Sequence, residues 1–132
     1  GHPVGCALAL QAIDIIIEEK LVENVRKLEP LFMGGLKKFE DMEFIGEARG
    51  IGLMGALEMV QDKKTKKPFD GHMNMGERVA NKAIEKGLIC RPLGPSIVLC
   101  PPFITTPEQI DFMYNTLEET LKEVFNEIKV SN

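Results

Sequence analysis

The chain has 132 residues, enough for one domain around one core. Its 44 % apolar and 27 % charged residues suit an ordinary globular protein, and a net charge of -4 argues against a nucleic-acid binder with a basic face. No apolar run is long enough to span a bilayer. The run Ala7 to Ile17 is broken by Gln11 and Asp14, and no basic region marks a signal peptide. Cys6, Cys90 and Cys100 are odd in number and show no CxxC spacing, which reads as a reduced, cytosolic protein. His2 and His72 lie too far apart in sequence for a structural zinc motif, so no metal site is expected.

Pro3 to about Lys20 predicts a helix, with proline in the first turn. Val4, Leu8, Leu10, Ile13 and Ile15 to Ile17 occupy most of its circumference. Such a helix is either a central core helix or one whose covering surface lies elsewhere. A second helix runs roughly from Leu21 to Phe39, with Val25, Leu28, Phe32, Leu36 and Phe39 at helical spacing. Pro30 should bend or restart it, and Gly34-Gly35 weakens it.

Phe44 to Arg49 and Leu53 to Val60 read as two strands of a hairpin turning at Gly50-Ile51-Gly52. Four lysines in the five positions 63–67 make a solvated loop the expectation. Asn74 is the expected N-cap of a helix from about Met75 to Lys86, stopped by Gly87. Leu88 to Arg91 and Ser96 to Cys100 read as strands around the turn Pro92-Leu93-Gly94-Pro95. The last helix carries a capping box, Thr106 and Gln109 with Pro107 at N1. Its stripe is Ile110, Met113, Leu117, Leu121, Val124 and Ile128.

The order α-α-β-β-α-β-β-α, with strands arriving in neighbouring pairs, predicts an α+β fold. Two strand pairs form a small, mostly antiparallel sheet packed with helices. The chain reads as one unit, residues 1–132, with a helical segment 1–41 and an α+β part 42–132.

There is no GxSxG, HExxH or Walker loop, and neither histidine has an obvious partner. No lysine sits among small apolar residues that would depress its pKa. By itself the chain does not read as a complete catalyst. Arg91 stands between two apolar runs and is followed by Pro92. Its planar fork could bind a carboxylate or phosphate at a strand end, could pair with a nearby Asp or Glu, or could simply be solvated. Arg49, before the hairpin glycines, suits a structural role on nearby carbonyls.

Three motifs, in this order, carry a family resemblance: "GHPVGCALALQAIDIIIEE", "EARGIGLMGALEMVQDK" and "GLICRPLGPSIVLCPPFITTPEQID". Together they resemble the C-terminal part of class III pyridoxal-phosphate-dependent aminotransferases of the ω-amino-acid/pyruvate type. The resemblance covers essentially the whole chain. It implies the C-terminal small domain of a fold type I enzyme. Such an enzyme moves an amino group from an amine or ω-amino acid to pyruvate or another 2-oxo acid. It implies pyridoxal 5'-phosphate in the parent enzyme and none bound to this chain alone. It also implies a large cofactor-binding domain of the same protein as partner, and a homodimeric or tetrameric parent.

Arg91 matches the arginine that binds the substrate carboxylate in such enzymes. Gly1 and His2 match a segment near the cofactor phosphate of a neighbouring subunit. The cofactor-bearing lysine, the aspartate facing the pyridine nitrogen and the phosphate loop belong to the family's large domain and have no match here. Pro95-Ser96 replace the Asp that commonly follows the glycine of this turn, which stiffens the turn and removes an acidic neighbour. The competing readings are a stand-alone α+β module that binds small carboxylates through Arg91, and an interaction domain that self-associates through its first helix.

Overall fold

The structure, a computed structural model, describes residues 1–130. Helices α1 (Pro3–Glu18) and α2 (Leu21–Lys38) come first, followed by a short 3-10 turn, Phe39–Asp41. Strands β1 (Ile45–Ile51) and β2 (Met54–Met59), helix α3 (Met75–Glu85), strands β3 (Arg91–Leu93) and β4 (Ser96–Leu99) and helix α4 (Pro107–Val130) complete the chain. The four strands form one sheet in the order β1-β2-β4-β3, and every pairing is antiparallel. The α+β expectation therefore holds. The two hairpins are joined edge to edge by β2 and β4.

Local chemistry sets the boundaries. Lys20 takes φ 53°, a left-handed turn that separates α1 from α2. Pro30 neither ends nor restarts α2, which runs unbroken to Lys38. Its ring faces solvent, and it forgoes one backbone bond inside a helix held by Leu28, Phe32 and Leu36 in the core. At the start of α4 the capping box is reciprocal. The Thr106 amide donates to Gln109 Oε1 at 3.0 Å, and the Gln109 amide donates to Thr106 Oγ1 at 3.4 Å. Asn74 departs from expectation. It adopts φ 45° and makes no side-chain cap; its side-chain Nδ2 instead donates to the His72 carbonyl.

Both hairpins turn through two residues. Ile51 faces Met54 across Gly52-Leu53, and Leu93 faces Ser96 across Gly94-Pro95. Gly52 and Gly94 each take φ +58° at the first turn position, the pattern of II′ hairpins. The first turn is thus shifted from Gly50-Ile51-Gly52. Leu88 to Cys90 is not strand: Leu88 and Cys90 are buried, and the Leu88 amide is used by the Ala83 carbonyl that closes α3.

One face of the sheet builds the core. Leu57, Met59, Ile97 and Leu99 pack with Phe32 and Leu36 of α2, Val79 and Ala83 of α3, and the whole predicted stripe of α4. At roughly 1.5–3 kcal/mol for each large side chain buried, this cluster is the main source of stability. Helix α1 stands outside it. None of its residues is buried, and Leu8 and Ile17 are 66 % and 67 % exposed. The reading of α1 as a central core helix is therefore overturned.

Candidate functional site

The side of the sheet away from the core carries the candidate site. Opposed residues of antiparallel strands share a face. Arg49 faces Ala56, Ala56 faces Val98, and Val98 faces Arg91, so two arginines terminate one transverse row with small apolar side chains between them. With neighbouring strands about 4.8 Å apart, the two arginine backbones are separated by roughly 14 Å.

The two arginines are in different states. Arg49 Nη1 lies 2.7 Å from Glu58 Oε2 and 3.4 Å from Glu47 Oε2. The Glu58 hydrogen bond, and the charges of both carboxylates, raise its pKa further. Its partners are exposed carboxylates of the hairpin rather than the carbonyls expected of a structural arginine. Arg91 is exposed at the start of the edge strand β3, and no described residue forms a hydrogen bond or ion pair with its guanidinium. Pairing with a nearby carboxylate is therefore not what the fold builds, while a solvated guanidinium and one open to an outside anion both match this exposure. Cys90 beside it is buried, and burial pushes its thiol pKa up, which keeps it protonated and unreactive.

The turn after Arg91 is held on two sides. The Pro95 carbonyl accepts from the Met59 amide at 3.1 Å. On the helix side Gly76, buried in the first turn of α3, lies directly against the turn. A methyl group at Gly76 would fall well inside contact distance of the Gly94 carbonyl oxygen. It would also lie 3.3 Å from Pro92 Cβ and from the Ser96 carbonyl oxygen. Gly76 carries no motif that marks it in the sequence. Its one visible signal is a glycine inside the first turn of a helix, where helix propensity disfavours it.

Gly1 and His2 sit at the opposite kind of location, the exposed start of α1. His2 Nδ1 accepts from the Gly5 amide at 3.3 Å, so its ring caps the helix. Two grooves indent the domain. One, about 460 Å³, runs between α2 and α4 past Pro30, Gly35, Phe39 and Tyr114. The other, about 420 Å³, is lined by Leu88, Ile89, Cys100, Pro102, Ile104 and Phe112 among others. Arg91 lines neither.

The described residues do not form a cradle for an aldehyde cofactor. Lys82 is tied to Glu123 and Glu127 and Lys86 to Glu119 and Glu123, and these hydrogen bonds raise both ammonium pKa values. That is the reverse of what a nucleophilic amine requires. Every other described lysine is exposed.

The family profile described as aminotransferase class-III matches residues 1–121. The PMP-bound form of an aminotransferase from Vibrio fluvialis is 57 % identical, with a TM-score of 0.92; the match covers 96 % of this chain and 28 % of that one. An omega-aminotransferase from Paracoccus denitrificans is 58 % identical with a TM-score of 0.93, covering 97 % of this chain and 28 % of that chain. Gamma aminobutyrate transaminase 1 of Solanum lycopersicum is 38 % identical over 93 % of this chain and 24 % of its own length. The chain thus spans about a quarter of the length of these relatives.

Proposed function

This chain belongs to the class-III aminotransferase family, and we propose that it is the C-terminal small domain of a pyridoxal-phosphate-dependent transaminase. The parent moves an amino group from an amine or ω-amino acid to pyruvate or another 2-oxo acid. Residues 1–41 form the helical connection and residues 42–132 the α+β unit. Arg91 grips the substrate carboxylate. The observation that carries this reading is the state of Arg91: a permanently charged, bidentate fork, unpaired within the domain, on a strand end beside a stiff two-residue turn.

The cofactor, when bound to the parent, supplies the electron sink for transamination. By the family resemblance, the lysine that bears it belongs to the large domain; the exposure of the lysines here, or their commitment to glutamates, is in keeping with that reading. Gly1 and His2 belong near the cofactor phosphate only by proximity. By the family resemblance the parent is a homodimeric or tetrameric cytoplasmic enzyme. The uncovered apolar circumference of α1 supports a large domain of the same protein as its partner. It also favours this reading over a stand-alone carboxylate sensor.

Calorimetry separates the two. The 132-residue chain titrated with pyruvate and with amino acids is expected to give no tight binding. Mixed with pyridoxal phosphate, it is expected to give no stoichiometric, lysine-specific absorbance band. Tight carboxylate binding to the chain alone, abolished by Arg91→Ala, would establish the sensor instead.

A further inference from the structure

We propose that Gly76 is a positioning residue for the carboxylate clamp: its bare Cα lets the first turn of α3 seat directly on the β3–β4 turn, and this seat fixes where Arg91 stands. The inference rests on the reading of Arg91 as the clamp.

Little else holds β3. It is three residues long, lies at the sheet edge and pairs only with β4. Its far side has no strand neighbour. Arg91 and Leu93 alternate to the open face, while Pro92 points toward α3, so the helix must provide the second constraint. Its closest approach is at Gly76. The Gly94 carbonyl oxygen, the Pro92 Cβ and the Ser96 carbonyl oxygen converge on the space where a Gly76 side chain would be.

Two of those three atoms are backbone, and the turn that carries them cannot retreat freely. Gly94 is fixed in the left-handed region, Pro95 has a locked φ, and the Pro95 carbonyl is bonded to the Met59 amide. Any β-carbon at position 76 therefore displaces the α3 start and the β3–β4 turn relative to each other. A displacement on the order of 1 Å of a substrate-positioning group lowers the rate about 100-fold. Arg91 lies three residues before Gly94 on the same short strand and turn, so it shares the movement. The open face beyond Arg91, including Arg49 and its glutamates, is not involved.

The test uses the full-length enzyme that carries this chain. Donor half-reactions are followed in single turnovers for a carboxylate-bearing donor and for an amine without a carboxylate. Binding of a non-reacting carboxylate is followed by calorimetry. Gly76→Ala is expected to lower the carboxylate-donor rate constant, and the carboxylate affinity, by about 10- to 100-fold. The amine without a carboxylate should stay within about threefold. Ala80→Gly loosens α3 one turn further on, on the same face but without placing a β-carbon at the seat; it should lower thermal stability while leaving the ratio of the two donors unchanged. Pro92→Gly removes the β3 side of the seat without adding bulk. It should reproduce the loss of carboxylate preference, and it stands in should Gly76→Ala not fold.

A Gly76→Ala or Pro92→Gly enzyme with an unchanged donor ratio, beside an Arg91→Gln enzyme in which the ratio collapses, overturns the role of Gly76 alone. An unchanged ratio in Arg91→Gln overturns the clamp and this inference with it. Equal loss on both donors in Gly76→Ala and in Ala80→Gly would reduce Gly76 to helix packing.

Discussion

Adjacent glycines in α2 should respond with opposite signs to the same substitution. A methyl at Gly34 meets nothing within 4 Å. Gly34→Ala should therefore stabilise the chain by about 0.4–1 kcal/mol, through higher helix propensity and fewer unfolded conformations. A methyl at Gly35 would instead penetrate the Tyr114 ring, with Cζ 3.3 Å away and two ring carbons nearer still. That ring cannot yield cheaply. Its hydroxyl donates to the Phe32 carbonyl at 2.6 Å, and Phe32 and Phe39 each lie with ring centroids 5.7 Å from it. Overpacking of this kind costs about 1–3 kcal/mol, and a displaced hydroxyl adds about 1 kcal/mol for the lost bond. Set against a helix gain of about 0.5–1 kcal/mol, Gly35→Ala should destabilise by about 1–3 kcal/mol. Urea unfolding followed by far-ultraviolet circular dichroism measures both variants. In a Tyr114→Ala background the Gly35→Ala change should become neutral or stabilising, a coupling that a double-mutant cycle isolates. Equal signs at positions 34 and 35, or no coupling to Tyr114, would refute the packing argument.

Leu121→Ala, at a fully buried site on the α4 stripe, should cost about 2–5 kcal/mol in the same assay. Thr106→Ala removes one arm of the capping box and should cost about 0.5–2 kcal/mol, with fraying visible as faster amide exchange in the first turn of α4. Arg78 and Lys82 of α3, with Lys86 at its C-cap, meet Glu119, Glu123 and Glu127 of α4. Hydrogen bonds from the lysines, foremost, hold Glu123 and Glu127 below the ordinary value of 4.5. Their contribution is complete above that value and is lost as pH falls through the lower folded values. The Lys82 and Lys86 pKa values are raised above 10.5, so their contribution persists below it and is lost only as pH rises past the folded values. The loss caused by Glu123→Gln should therefore be flat between pH 6 and 9 or so, vanish in acid, and shrink with added salt, since these groups face solvent.

Features written in short sequence windows were the legible ones. The capping box Thr106-Pro107-Gln109 and the α4 stripe depend only on residues three or four apart, and both stand where the periodicity puts them. The family was legible too, because three motifs kept their order. Tertiary placement was not legible. Whether Gly50, Gly52 or both make the turn depends on register: Gly52 takes the positive φ, while Gly50 is needed because a side chain there would strike the Met54 carbonyl. Arg49 finds Glu58 only because β1 and β2 pair as they do, nine residues apart in sequence. The seat of α3 on the β3–β4 turn joins Gly76 to Gly94, and no local pattern announces it. The exposure of α1 follows from what the rest of the domain leaves uncovered, which helical periodicity alone leaves open between two answers.

The central claim is that Arg91 binds the substrate carboxylate, and the most direct measurement is the Arg91→Ala full-length enzyme compared with the parent in the two donor half-reactions. Removing one partner of a hydrogen-bonded charge pair costs about 2–5 kcal/mol, or roughly 30- to several-thousand-fold in rate. The account predicts a loss of that size for the carboxylate-bearing donor and a change of no more than about threefold for the amine without one. Equal effects on both donors, or none on either, would contradict it.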